Sequence, residues 1–149
     1  MRVVIIGNSG SGKSTLARAL SQDGAVVLSL DDVAWDPGVV RRPHAQSVAA
    51  ITDFVSQHEH WVIEGCYGEL VRAVLPHCDE LVFLNPGVDV CLAHCRSRPW
   101  EPDKYESKEA QDARLEALLE WVATYEMRDD EFGLACHREG FSGSKREQR

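Results

Sequence analysis

The sequence has no apolar run long enough to cross a bilayer, no internal repeat and no low-complexity tract. Its first apolar run, Val3 to Ile6, is too short for the core of an export signal and meets glycines at once. Basic charge is scarce: 16 Lys and Arg against 24 Asp and Glu leave a formal charge of −8 at pH 7. That balance disfavours nonspecific attraction to nucleic acid or to an anionic membrane and leaves only a local basic cleft for such a role. The five cysteines (Cys66, Cys78, Cys91, Cys95, Cys136) are odd in number, irregularly spaced and without a C-x-x-C pair. Neither a disulfide framework nor a paired zinc knuckle is expected from them. The expectation is a cytoplasmic, reduced protein with no membrane association.

What is present is an alternation of two hydrophobic periods. Short runs rich in Val, Ile and Leu occur at 3–6, 25–30, 61–63 and 81–84. Each is too short for a helix and nearly free of polar interruptions, as expected of strands buried on both faces. Helix-period stretches lie between them: 15–20, a stretch from about His44 with Val48, Ile51, Phe54 and Val55 on one face, and Leu70, Val71, Val74 and Leu75 stopped by Pro76. Val88 to Arg98 reads as a helix ending before Pro99, and Leu115, Leu118, Leu119 and Val122 mark a long acidic one. The class is therefore α/β, a parallel sheet with helices on both faces in three layers. With 149 residues in all, one domain over 1–149 is expected. It carries a substrate flap at about 32–60, a lid at about 96–110 and a polar tail at 140–149.

The decisive feature is Gly7-Asn8-Ser9-Gly10-Ser11-Gly12-Lys13-Ser14, followed by Thr15. It matches G-x-x-x-x-G-K-[ST] in full, with a buried strand before it and a helix after it. Glycines let backbone N–H groups converge on anionic oxygens, and the helix N-terminus adds its positive dipole end. In this pattern Lys13 reaches the β- and γ-phosphates and the Ser14 hydroxyl sits on Mg²⁺. The spacing differs from the G-x-G-x-x-G of a dinucleotide fold, so hydride chemistry is disfavoured. No Asn-Lys-x-Asp guanine-recognition segment is present, which favours ATP over GTP.

Together with an acidic residue after the second strand and the segment Trp61-Val62-Ile63-Glu64-Gly65, this loop resembles the small P-loop kinases of the adenylate kinase and shikimate kinase group. Leu30-Asp31, Trp35 and Pro37-Gly38 are similar to the Leu-Asp, Trp and Pro-Gly segment of adenylate-kinase-related proteins often labelled DNA topology modulation proteins. The resemblance covers about the first 100 residues. It implies the P-loop NTPase fold with a parallel sheet of four strands, or five, ordered 2-3-1-4. It also implies Mg-ATP as the bound nucleotide and transfer of its γ-phosphoryl group to a small-molecule acceptor.

Candidate site residues follow from motif, strand ends and resemblance. Asp31 and Asp32 are expected to close the second strand, where ligands of doubly wound folds bind. Asp31 occupies the position that matches the family's acidic residue and is assigned to the acceptor and the metal, with Asp32 beside it. Glu64, ending the third strand next to Gly65, is a further metal candidate through water. Arg98-Pro99 is similar to the Arg-Pro that opens the shikimate kinase lid, and Arg96, which precedes it, is assigned with Gly65 to the acceptor side. Arg41 and Arg42, before the second long helix, are assigned to the acceptor side. Cys91, His94 and Cys95 share one helix face, and His77, Cys78, Cys136 and His137 add donors. Buried free thiols explain these residues better than a zinc site. Lys13, Asp31 and Arg98 are thus the expected catalytic set, and residues 7–15 hold the nucleotide.

Two other readings stay open. A regulatory P-loop ATPase would use the helix around 115–125 as a docking surface for a partner protein. DNA association would show salt-sensitive binding to duplex. After Tyr125 no β-rich run follows, so the existence of a fifth strand is open.

Overall fold

A computed structural model describes residues 1–142 and 147–148 of the chain. The four apolar runs form parallel strands: β1 (Arg2–Gly7), β2 (Val26–Ser29), β5 (Trp61–Gly65) and β6 (Glu80–Leu84). Their order across the sheet is β2-β5-β1-β6, which is the expected order of second, third, first and fourth. A two-residue strand, β7 (Glu147–Gln148), lies parallel to β6 opposite Val82 and Phe83. The sheet therefore has a short fifth strand. Residues 143–146 and 149 of the expected polar tail lie outside the described residues, and its first three residues close a helix, α7 (Leu134–Ser142).

Alternation along the central strands sends side chains to two faces. Val4, Ile6, Trp61, Ile63, Leu81 and Phe83 bury one face beneath α3 (His44–Gln57) and α4 (Gly68–Val74). Val3, Ile5, Val62 and Val82 bury the other against Ala17, Leu16 and Leu20 of α1 (Lys13–Leu20). In a third apolar cluster, α5 (Val88–Arg96) packs against α6 (Lys108–Ala123) through Cys91, Cys95, Leu118, Leu119 and Val122. Among the described residues no helix is long and apolar enough to cross a membrane.

Three expectations need correction. First, β2 is not buried on both faces: Val26 and Val27 remain 40% and 41% exposed, because β2 is the sheet's edge and pairs only with β5. Second, Asp31 and Asp32 do not close an extended strand. Leu30 N–H bonds the Glu64 carbonyl, and the Leu30 carbonyl then accepts from Val33 and Ala34. The chain thus turns into one helical turn, α2 (Asp31–Ala34), at the sheet edge. Third, Pro76 does not end the stripe abruptly; Leu75–His77 continues α4 as a 3-10 turn.

Beyond α2 the chain forms a small antiparallel hairpin of β3 (Trp35–Asp36) and β4 (Val40–Arg41), within the segment expected to be a substrate flap. At its tip Val39 has φ 59° and is 71% exposed. A β-branched residue is strained in the left-handed region, and exposure means that packing returns nothing for it. Val39→Asn keeps the turn with a residue that tolerates this conformation. The variant should gain about 1 kcal/mol in urea unfolding, and an unchanged midpoint would show that no strain is stored there.

Candidate nucleotide and acceptor site

β1 runs between β5 and β6 and delivers the glycine loop to the end of the sheet where the other parallel strands also finish. A Cβ on Gly7 would lie 2.6 Å from the Leu84 carbonyl oxygen, so the loop leaves β1 in close contact with β6. Gly10 (φ 81°) and Gly12 (φ 99°) take left-handed conformations that turn the chain into α1, with Gly12 as its N-cap. The Lys13 side chain folds back into this loop. Its buried Nζ donates to the Asn8 carbonyl at 2.6 Å, and the Ser11 N–H donates to the same oxygen at 3.1 Å. Asn8 is itself anchored, its Nδ2 donating to the Val122 carbonyl of α6 at 3.2 Å.

Glu64 stands on the strand beside β1, in register with Ile5, and is only 7% exposed. Burial pushes its carboxyl above the usual range, against the nearby Lys13 charge and a hydrogen bond from Ser29. Asp31, by contrast, is exposed at the start of α2. Its Oδ1 accepts from the Tyr67 hydroxyl at 2.5 Å, and that hydroxyl accepts from the Trp35 indole N–H at 2.9 Å. Burial, and next the Asp31 charge, push the Tyr67 phenol up. Tyr67 therefore remains a neutral donor. Lys104, from the segment between α5 and α6, brings its ammonium 3.9 Å from Asp31 Oδ2 and 3.3 Å from Glu101.

The candidate arginines divide. Arg98 lies over the phosphate loop, donating to Ser9 Oγ at 3.0 Å. Arg42 is held by Asp36 at 3.0 Å within the hairpin. Arg41 sits 4.9 Å from the Tyr67 ring centre and within 5.9 Å of Trp35 and Phe132, and its NH2 is 3.6 Å from Glu131. Arg42 is thus engaged inside the protein, whereas Arg41, packed among rings, keeps a buried Nε with no hydrogen-bond partner among the described residues. Arg96 and Asp32 are exposed and take part in none of these contacts. Gly65 is buried against Leu30, where a Cβ would come within 2.8 Å of the leucine's own Cβ. Ser14 and Thr15 are exposed on the first turn of α1.

Tyr67, Lys104, Glu131 and Phe132 surround the site without any local sequence signal. His137, a metal-donor candidate in the sequence, is fully buried and otherwise employed. The Tyr125 hydroxyl lies 2.8 Å from its Nδ1, and its Nε2 lies 2.8 Å from the Cys66 carbonyl. Since a carbonyl only accepts, Nε2 carries the hydrogen and Nδ1 accepts from Tyr125. Burial pushes this imidazole down to about 4. The same burial pushes the Cys66 thiol up to about 12, which makes it inert as a nucleophile.

The donor set suits a nucleotide's phosphates and Mg²⁺. Among the described residues Ser11 Oγ is buried without a hydrogen-bond partner, beside an ammonium held over a glycine loop. Ser14, Glu64 and Asp31 are hard oxygen donors of the kind magnesium takes. No three His, Cys, Asp or Glu side chains group as a ready-made metal site among the described residues, so such an ion would rely on phosphate oxygens and water. That is usual for magnesium.

Solved structures bear out the fold. Shikimate kinase from Aquifex aeolicus superposes with a TM-score of 0.53 at 18% identity, covering 100% of this chain and 86% of its own. A gluconokinase from Sinorhizobium meliloti gives 0.50 at 18%, covering 95% and 90%. A sugar kinase from a Janibacter species gives 0.50 at 15%, covering 82% and 91%. No curated protein matches. The arrangement is thus the small P-loop kinase fold that the sequence resembles. A family described as an AAA domain matches residues 3–126, which span β1, the phosphate loop and α6, and the chain belongs to that family.

Proposed function

We propose that the chain is an Mg-ATP-dependent phosphotransferase that moves the γ-phosphoryl group to a hydroxyl or phosphate of a small cytoplasmic metabolite. The observation that carries this reading is the pairing of a buried lysine in the phosphate loop with a buried carboxylate on the adjoining strand, Lys13 and Glu64. Bound Mg-ATP supplies the transferable group and the metal's charge.

The chain's residues have the following roles. Lys13 and the amides of residues 7–15 balance phosphate charge, and Ser14 with Glu64 or Asp31 holds the magnesium. Asp31 has one oxygen occupied by Tyr67 and turns the other toward the lid, where it orients the acceptor hydroxyl. Arg98 closes over the phosphates from the lid, and Arg96 stands nearby at its root. Asp32, Arg41, Arg42 and Gly65 shape the acceptor side. There, Arg42 acts through the hairpin it braces, because Asp36 holds its guanidinium, whereas Arg41, whose Nε is buried without a hydrogen-bond partner among the described residues, keeps donor capacity for an anionic acceptor. The fold neighbours that act on gluconate, shikimate or a sugar are consistent with a polyhydroxylated acceptor.

The partner-docking alternative finds less support. The apolar face of α6 is covered by α5, with Val122 and Tyr125 buried, which leaves only its acidic outer face for a partner. The test is a panel of small hydroxylated and phosphorylated metabolites, screened for ADP release with Mg-ATP. Release that rises with one acceptor supports the transferase. Release at one constant rate, whatever is added, would point to an ATPase instead.

A further inference from the structure

The helix face that carries Cys91, His94 and Cys95 has a use in this structure that neither thiol chemistry nor metal binding supplies. It forms the seat of the phosphate loop. A Cβ on Gly10 would lie 2.3 Å from the Cys91 carbonyl oxygen and 2.9 Å from Cys95 Sγ, so the loop's backbone rests directly on α5. His94, from the same face, places Nδ1 2.6 Å from the Gly10 carbonyl oxygen. That oxygen can only accept, so Nδ1 carries a hydrogen and donates. The two residues before Gly10 are held as well, Ser9 by Arg98 and Asn8 through the Val122 carbonyl.

An anion-binding loop needs its N–H groups turned toward the anion and its carbonyl oxygens turned away. Glycine makes the required turn cheap, but it makes the opposite peptide orientation cheap too. Each carbonyl turned away is therefore better fixed by a donor. Lys13 supplies one for Asn8, and a second is needed at Gly10. We infer that His94 is a positioning residue for nucleotide binding: its Nδ1–H fixes the Gly10 carbonyl against α5, so that phosphates meet a loop already set. This rests on the nucleotide-binding reading above. Because α5 runs on into Arg98 and the lid, the same helix joins the lid's position to the phosphate grip.

The experiment compares Mg-ADP and adenosine binding by calorimetry in the intact chain, in His94→Ala and in His94→Asn. The Asn amide nitrogen takes the place of Nδ1. His94→Ala should bind Mg-ADP about tenfold more weakly, His94→Asn should recover to within about threefold of the parent, and adenosine binding should be equal in all three. Equal Mg-ADP affinity in His94→Ala overturns the inference. So does a His94→Asn variant as weak as Ala, or a parallel loss for adenosine, since either would mean simple packing. Failure of the parent chain to bind Mg-ADP at all would instead defeat the nucleotide-binding reading, and this inference with it. A His94→Ala chain with a lowered melting temperature is judged on His94→Asn alone, where Mg-ADP affinity at parent level supports the role and a tenfold loss overturns it.

Discussion

Lys13→Ala should weaken Mg-ADP and Mg-ATP binding by about 10- to 100-fold, the equivalent of about 1.5–3 kcal/mol for a charge-assisted contact removed from a buried site. Two features of the site set this size. Lys13 is only 9% exposed and its ammonium is held over the loop by the Asn8 carbonyl, so it meets phosphate without first being ordered. It also opposes the upward push of burial on the Glu64 carboxyl. Without it Glu64 holds its proton to a higher pH and becomes a poorer partner for magnesium. The loss should therefore be larger with magnesium than without, while adenosine affinity stays near the parent value. Titration calorimetry with and without magnesium reads both. Parent-level Mg-ADP affinity in the variant would sink the phosphate-loop reading altogether.

The second large effect concerns stability in acid. The His137 imidazole titrates near 6.5 in an unfolded chain and is pushed down to about 4 by burial in the folded one. Between these values the unfolded state binds more protons, so stability falls as pH drops from about 6.5 to about 4. The full span corresponds to about 3 kcal/mol. Glu64 and Glu131 have carboxyls raised by burial and work in the opposite sense at the acid end, since the fold keeps their protons longer. The comparison must therefore be between proteins and not along one curve. His137→Gln is expected to be less stable than the parent at pH 8, where it lacks the bond from Tyr125 or that to Cys66. It should then lose much less on acidification, so that the two urea-unfolding curves converge by pH 4. Curves that stay parallel would show that His137 is not the buried neutral group described.

What the sequence disclosed, and what it hid, follows from the range of the forces involved. The phosphate loop was legible because its requirement is local: particular backbone turns at Gly10 and Gly12 and a lysine directly after. The order of the four long strands came with the resemblance and holds. The one-turn helix at Asp31 was not legible, because it begins with a hydrogen bond from Leu30 to the Glu64 carbonyl, a partner 34 positions away. Tyr67 and Lys104 reach Asp31 from different segments, and nothing in either neighbourhood marks them. The last helix was hidden for another reason. It buries a polar residue, His137, whose value lies in two hydrogen bonds and not in a hydrophobic stripe. Arg41 shows the converse. A basic pair beside an acid reads as an anion clamp, and nothing in the sequence signals the three aromatic rings and Glu131 that gather around Arg41.

The contact of Gly10 with α5 narrows what the motif permits in this protein. The pattern G-x-x-x-x-G-K-[ST] leaves its fourth position open, yet here no side chain fits above the Cys91 carbonyl. The working signature is thus tighter, with glycine obligatory at that place for as long as the supporting helix keeps its distance. Among sequences of this lineage, any that carries a bulkier residue there should also show a rebuilt 91–95 turn, an evolutionary linkage readable by simple comparison of chains.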